Sequence, residues 1–339
     1  MARIAVLFNV DYGAGATLDV TSVGDSASAL AAAARSLGHD VELHGLRGDD
    51  VLPLLERVRA ARPDLVVNLC ESLAGNAVNE PTFAGLLELY ALPYTGADLL
   101  ALASCLHKQR TKDILIARGI PTPPYRHLDR SDLDEPSLDA LDYPWFVKLA
   151  HEDASLGITE ANVVENVAQL RARAQELIAE FAQPVIAERF VAGREINATV
   201  IGNGDAARVL PLHEIDFAAM PGDRPKIVSY AAKWDEHHVD YAGTKPVPVV
   251  AAPPALVAEI ERVALAAYRA IGLRDYGRVD LRVDAAGTPW VIDVNPNPDI
   301  SPDAGVVRAA AAAGMSYARF IGELIRIALQ RSAARTPPA

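Results

Sequence analysis

The stretch GRVDLRVDAAGTPWVIDVNPNPD, Gly277 to Asp299, alternates apolar and polar residues along two arms separated by Asp284 to Gly287. That pattern predicts a β-hairpin. With Val283 opposite Thr288, Arg278 falls across from Asp293 and Asp280 across from Val291. Paired residues point to the same face and side chains alternate with a period of two. Arg278, Asp280, Asp293 and Asn295 therefore share one face, and Val279, Leu281, Val283, Trp290, Ile292 and Val294 share the other, the core. Two carboxylates and an amide oxygen on one sheet face are hard donors suited to Mg²⁺, whose octahedron phosphates and waters complete. A solvated polar face on an ordinary hairpin fits the same spacing. Zinc is not expected, because no His or Cys falls into ligand spacing and EHH at Glu236 to His238 reads as exposed loop.

Phosphate chemistry also needs cations, and upstream of the hairpin three lysines stand out. Lys148 ends the strand WFVK just before the loop HEDASLG, where Ser155 and Gly157 are placed to close over a nucleotide with backbone N–H donors. Lys108 lies in CLHKQRTK, and Lys233 in SYAAKW. Each lysine alone also reads as a surface residue. AERFVAGRE sets Glu188 and Glu195 around a short apolar piece, an arrangement suited to an adenine edge and a ribose hydroxyl, and equally to an exposed hairpin.

Further upstream, RIAVLF, a helix from Gly24 closed by Gly38, and PDLVVNL give strands alternating with helices, which indicates a parallel α/β unit. The segment from Thr82 to Pro124 reads as two helices separated by a turn at Pro93 and Gly96. Asn166 is placed to cap a helix, and two strands flank a turn at Gly193. The polar stretch from Asp216 to Gly243 has no clear period and is long enough to be functional. An amphipathic helix covers Ser316 to Gln330. YGAGAT at Tyr12 to Thr17 lacks the last glycine of a dinucleotide loop.

With 339 residues, half of them hydrophobic, the chain can bury a sizeable core in two or three domains. A net charge of -12 argues against nucleic-acid or anionic-membrane partners. Two cysteines cannot build a disulfide framework, the N-terminal apolar run is shorter than a signal peptide, and no run approaches the ~20 residues of a membrane helix. A cytoplasmic protein is expected.

Taken in order, LLELYALPYTG, CLHKQRTKDILIARGIPTPP, FVKLAHEDASLGI, AERFVAGREINATVIG and GRVDLRVDAAGTPWVIDVNPNPDISPDAGVVRAAAAAGMS resemble the ATP-grasp superfamily, and within it the D-alanine-D-alanine ligase family. The resemblance implies an α/β fold with an N-terminal parallel unit at residues 1–105, a small central α+β lid at 106–192 and a C-terminal α+β unit at 193–339 carrying the metals. It implies that Lys108 and Lys148 hold the α- and β-phosphates of ATP beneath a mobile loop containing Ser155 and Gly157. Glu188, Phe190 and Val191 would line the adenine, Glu195 the ribose, and Lys233 would reach the γ-phosphate. Asp280, Asp293 and Asn295 would hold two Mg²⁺, with Mn²⁺ as a substitute, and Arg278 the acyl phosphate and tetrahedral intermediate. The implied reaction joins a small-molecule carboxylate to an amine through an acyl phosphate. The family is often dimeric, so a homodimer is expected.

The substrate half departs from the family pattern. NVDYGAGATLDVTSVGDS replaces its glycine pair and Ser-x-Glu element, and NLCESLAGNAVNEP replaces a His-Gly and Gly-Glu-Asp-Gly element. Ala304 and Gly305 stand where a Ser-Leu pair holds the second D-alanine's carboxylate, and Asp153 and Ala154 where Gly and Ser are usual. With Glu71, Asp299, Ser301 and Asp303 as substrate candidates, these departures predict an acceptor other than D-alanine, an amine without that carboxylate, a cationic one included. The alternatives are D-alanine-D-alanine ligation itself, and a phosphotransferase that stops at a phosphorylated product. Asp299 and Asp303 also read as caps of a turn or of the next helix.

Overall fold

A computed structural model describes residues 1–10, 23–48, 50–74, 76–152 and 155–335. The Tyr12–Thr17 segment, most of the replaced N-terminal element, and Asp153 and Ala154 lie outside them.

The first sheet is parallel, with β1 (Arg3–Asn9) between β2 (Asp40–Leu46) and β3 (Leu65–Leu69). β1 and β3 are apolar on both faces because both are covered, whereas the edge strand β2 exposes Asp40 and Glu42. Ile4 and Val6 pack with Leu30 of α1 (Val23–Ser36) and with Phe320 and Leu324 of the last helix, whereas Ala5 and Leu7 pack with Leu54, Leu55 and Phe83. The expected pair of helices after β3 is instead three. They are α3 (Glu80–Leu89), α4 (Leu99–Leu106) and α5 (Lys108–Ala117), following α2 (Val51–Ala61). The chain breaks at His107, whose ψ of 85° lies outside the helical region. This break puts Lys108 at the start of α5, where its backbone N–H donates to the Ala150 carbonyl at 3.1 Å.

A second, antiparallel sheet runs β4–β7–β5–β6 (Tyr125–Leu128, Val185–Arg189, Trp145–Leu149, Val163–Val164), backed by α6 (Val167–Phe181). Asn166 caps α6 by accepting from the Gln169 N–H. The third sheet runs β11 (Lys245–Pro248), β10 (His213–Asp216), β8 (Arg194–Ile201), β12 (Tyr276–Val283) and β13 (Pro289–Asn295), with β9 (Arg208–Val209) beside β8. The strands flanking Gly193 therefore belong to different sheets and do not pair with each other. Gly193 sits at the crossing with φ +147°, and a Cβ there would come within 1.9 Å of the Val283 carbonyl oxygen, so the crossing requires glycine.

The hairpin β12 (Tyr276–Val283) to β13 (Pro289–Asn295) forms, but its register differs from the expected one. Asp284 accepts from the N–H groups of Ala286 and Thr288 and from Trp290 Nε1, which lengthens the turn so that Val283 faces Pro289. A bulge at Ile292 then adds a second shift, placing Arg278 opposite Asn295 and Asp280 opposite Asp293. Two single-residue shifts restore parity, so the four polar residues still share a face. The core face is corrected: Val291 is buried there, while Trp290 and Ile292 are half-buried on the other side of the strand. Beneath this sheet Ile260, Val263, Ala264 and Ala267 of the helix Pro254–Ile271 pack against Val279 and Leu281.

Asp275 ties the third sheet to the first unit. Its carboxylate accepts from the Gly96 N–H at 3.0 Å and from Arg331. Among the described residues no helix is long and apolar enough to cross a membrane.

Candidate active site

The three sheets surround a cleft of about 1680 Å³, and every candidate residue named above lines it except Gly157. Gly157 lies behind it with φ +70°, where a Cβ would come within 3.2 Å of Leu177, and its carbonyl accepts from Arg173 at 2.8 Å. The glycine thus lets the chain at residues 155–158 turn tightly over Leu177.

A buried charge cluster forms the inner wall. Glu188 on β7 forms ion pairs with Lys148 of β5 at 3.0 Å and with Lys112 of α5 at 2.5 Å, with all three side chains less than a tenth exposed. Burial pushes the Glu188 carboxyl up, but Lys112 and Lys148 outweigh it and hold the group below its ordinary value. Burial pushes Lys112 down despite Glu188. Lys112 also donates to Thr122, whose hydroxyl donates to the Val291 carbonyl. The Ile292 bulge serves the same cluster, since the carbonyl of the extra residue accepts Lys148 Nζ at 2.8 Å. Glu188 is thus the anchor of two lysines rather than simply part of an adenine wall.

Next to this cluster, Arg282 stacks on Phe190 at 4.9 Å, donates to the Lys226 carbonyl and lies 3.9 Å from Glu195. Burial pushes the Glu195 carboxyl up against the opposing pull of Arg282. Val191 is buried at the crossing between sheets. Lys233 stands on the short helix Tyr230–Trp234, capped by Ser229, whose hydroxyl also meets the buried Asp240 carboxylate at 2.7 Å. The Tyr230 N–H donates to the Ile158 carbonyl, and Ile158 N–H to Ser155, so the supposedly irregular stretch is joined to the loop containing Ser155.

The hairpin face supplies the opposite wall. Arg278 grips Asp280 with two hydrogen bonds of 2.8 and 2.9 Å, and Asn197 of β8 donates to the same carboxylate at 2.8 Å. Asp293 lies 3.9 Å from Lys108. Burial pushes its carboxyl up, but Lys108, Lys148 and Arg278 prevail and hold it below its ordinary value. Among the described residues no group of three or more His, Cys, Asp and Glu converges as a metal cage. Paired carboxylates flanked by Asn295 on adjacent rungs instead suit a small divalent cation completed by substrate oxygens and water.

Toward the first sheet, Asn295 Oδ1 accepts the Asn297 N–H, and Asn297 bridges Tyr276 to Glu80 at 3.0 and 2.9 Å. The Glu71 N–H donates to Asn9. Asp299 and Asp303 line the cleft, and their carboxylates also bond within their own turn. Asp299 accepts the Ser301 N–H and hydroxyl, and Ser301 Oγ lies 3.2 Å from Asp303. The turn reading of these acids is the one realised.

Lys112, Asn197, Asn297 and Glu80 were not predicted. Asn197 follows Glu195 by one strand period and shares its face, so periodicity extended from Glu195 points to it, whereas Glu80 and Asn297 carry no such signal and Lys112, one turn after Lys108, is marked only by distant partners.

Residues 114–326 match the family described as "D-ala D-ala ligase C-terminus". The chain is 33% identical over 254 residues to a D-alanine–D-alanine ligase of Bordetella petrii, covering 75% of this chain and 73% of that one. It is 35% identical over 271 residues to one of Polynucleobacter asymbioticus, covering 78% and 75%. A crystal structure of D-alanine–D-alanine ligase from Bacillus anthracis superposes with a TM-score of 0.79 at 25% identity, over 99% of this chain and 100% of the other. The expectation of an acceptor other than D-alanine finds no support in these relatives, and the acids that suggested it are held within their turn. With the cleft geometry and these likenesses together, the chain belongs to the D-alanine–D-alanine ligase family of ATP-dependent ligases, with the ATP-grasp fold.

Proposed function

We propose that the protein is a cytoplasmic ligase that joins two D-alanine molecules with hydrolysis of ATP, its N-terminal, lid and metal-bearing units divided as 1–105, 106–192 and 193–339. The observation that carries this reading is the meeting, in one cleft, of Lys148 and Glu188, backed by the buried Lys112, with the Arg278, Asp280 and Asp293 face. One wall is built to neutralise phosphate oxygens and the other to manage charge at a reacting carboxyl.

In this reading Lys108 and Lys148 hold the α- and β-phosphates, and Ser155 and Gly157 belong to the loop above them. Glu188 keeps Lys148 extended along the adenine edge beside Phe190 and Val191. Glu195 receives the ribose and Lys233 approaches the γ-phosphate. Asp280, Asp293 and Asn295 would hold Mg²⁺, which supplies charge neutralisation for the phosphate oxygens. The first substrate's carboxylate attacks the γ-phosphorus, releasing ADP and forming an acyl phosphate. The second substrate's amine then attacks the acyl carbon, loses a proton, and expels inorganic phosphate to leave the amide. Arg278 stabilises the oxyanion of the tetrahedral intermediate, and Asp280 with Asn197 behind it holds the guanidinium in place.

Phosphate release with ATP and Mg²⁺ across amino acids offered singly and in pairs, with product masses, tests this. ADP, phosphate and the D-alanyl-D-alanine mass are expected. A stable phosphorylated product would favour the phosphotransferase reading instead.

A further inference from the structure

Beyond Arg278 the cleft runs against the turn Asp299–Ala304 and the helix Gly305–Ala312. Along one face of β12, Arg282, Asp280 and Arg278 succeed one another at strand period, with Arg282 beside Glu195 and Phe190. Each step of two residues covers about 6–7 Å, so Arg278 marks the end remote from the nucleotide wall. Arg308, one helical turn into the helix, lines the cleft at this remote end.

The Arg308 guanidinium folds back over the start of its own helix. One nitrogen donates to the Asp303 carbonyl oxygen, and another lies 3.7 Å from where a Cβ on Gly305 would stand. The absent side chain at Gly305 leaves the guanidinium an open path across the helix start, which a long side chain there would fill. A guanidinium has five donors in a planar fork that matches a carboxylate, and among the described residues only this hydrogen bond from it is seen. Burial disfavours the charge on Arg308 and the nearby Arg278 disfavours it further, against the attraction of Asp303 and Asp299. Arg278 is already gripped by Asp280, whereas Arg308 keeps donors of its fork for an anion at this end of the cleft.

We propose that Arg308 is a specificity-determining residue whose guanidinium receives the α-carboxylate of the amino acid whose amine is acylated, with Gly305 leaving room for it. This rests on the ligase reading. The acyl phosphate sits at Arg278, and a ligand reaching Arg308 from there lies on the side away from ATP. In an α-amino acid the amine and the carboxylate share one carbon, so a carboxylate held by Arg308 turns the amine toward the acyl carbon beside Arg278.

The test uses the full chain with ATP, Mg²⁺ and a saturating donor. Acceptors are D-alanine, L-alanine and glycine, each compared with its carboxamide, and products are read by mass. The wild type is expected to prefer the free carboxylate. Arg308→Met should raise KM for that acceptor about 10- to 100-fold, the loss of a charged hydrogen bond, and abolish the preference over the carboxamide. KM for ATP should stay within about threefold, which also shows that the variant folds. Arg308→Lys, which keeps the charge and loses the fork, should retain part of the preference and serves if the methionine variant does not fold. Preference retained in Arg308→Met, or absent from the wild type, would overturn the assignment while leaving the ligase intact. No ADP formation with any pair would overturn the ligase reading and this assignment together.

Discussion

Charge at the two ends of the cleft is held in different ways. At the end beside the second sheet Lys112, Lys148 and Glu188 are buried and paired across a helix and two strands. At the far end Asp299, Ser301, Asp303 and Arg308 belong to one turn and one helix, and their bonds are mostly local and exposed. The first arrangement is preorganised and intolerant, because removing one partner leaves a charge stranded in low dielectric. The second can be altered without disturbing the fold, so it is the end where a related chain can change what it accepts.

The largest effect is expected at Glu188. Glu188→Gln should destabilise the protein by about 3–5 kcal/mol in chemical denaturation. Because its folded carboxyl is held below the ordinary value, the stability it contributes is complete above pH 4.5 and is lost as pH falls through the folded pKa. The gap between wild type and variant should therefore narrow in acid, and a gap that widened would contradict the ion-pair account. Next comes Arg278→Met, with an expected loss of about 10²- to 10³-fold in kcat, the cost typical of one oxyanion donor. Its stability should change far less than that of Glu188→Gln; equal losses of stability would erase the distinction between the two walls. Asn197→Ala removes a hydrogen bond to the Asp280 carboxylate and should cost about tenfold in kcat with KM for ATP little changed. The smallest effect belongs to Ser301→Ala, which loses only turn bonds and should stay within about 0.5 kcal/mol of wild-type stability.

Much of this was legible in the alternation of the Gly277–Asp299 segment, and the reason it survived a wrong register is instructive. Side-chain facing depends only on parity, and the longer Asp284 turn and the Ile292 bulge each shift the pairing by one. What alternation could not display was which residue the bulge would extrude, so Ile292 and Trp290 were assigned to a core that Val291 occupies. The His107 break was equally hidden, since Leu106 and Lys108 suit a continuous helix and only the tertiary bond from Lys108 to Ala150 marks the interruption. Lys112 looked like any helix lysine because its partners lie far away in sequence. Asp299 and Asp303 were open to two readings for the opposite reason: short acidic side chains bond readily to their own turn, and here they do so while lining the cleft.

The most direct test of the account follows oxygen. With D-alanine carrying ¹⁸O in its carboxyl group, activation through an acyl phosphate transfers one ¹⁸O from the first substrate to inorganic phosphate for each amide formed. Labelled phosphate in equal amount to ADP and dipeptide is the predicted result. Unlabelled phosphate alongside dipeptide would mean that the carboxylate never attacks phosphorus, and would contradict the mechanism assigned to Arg278 and the Asp280–Asp293 face.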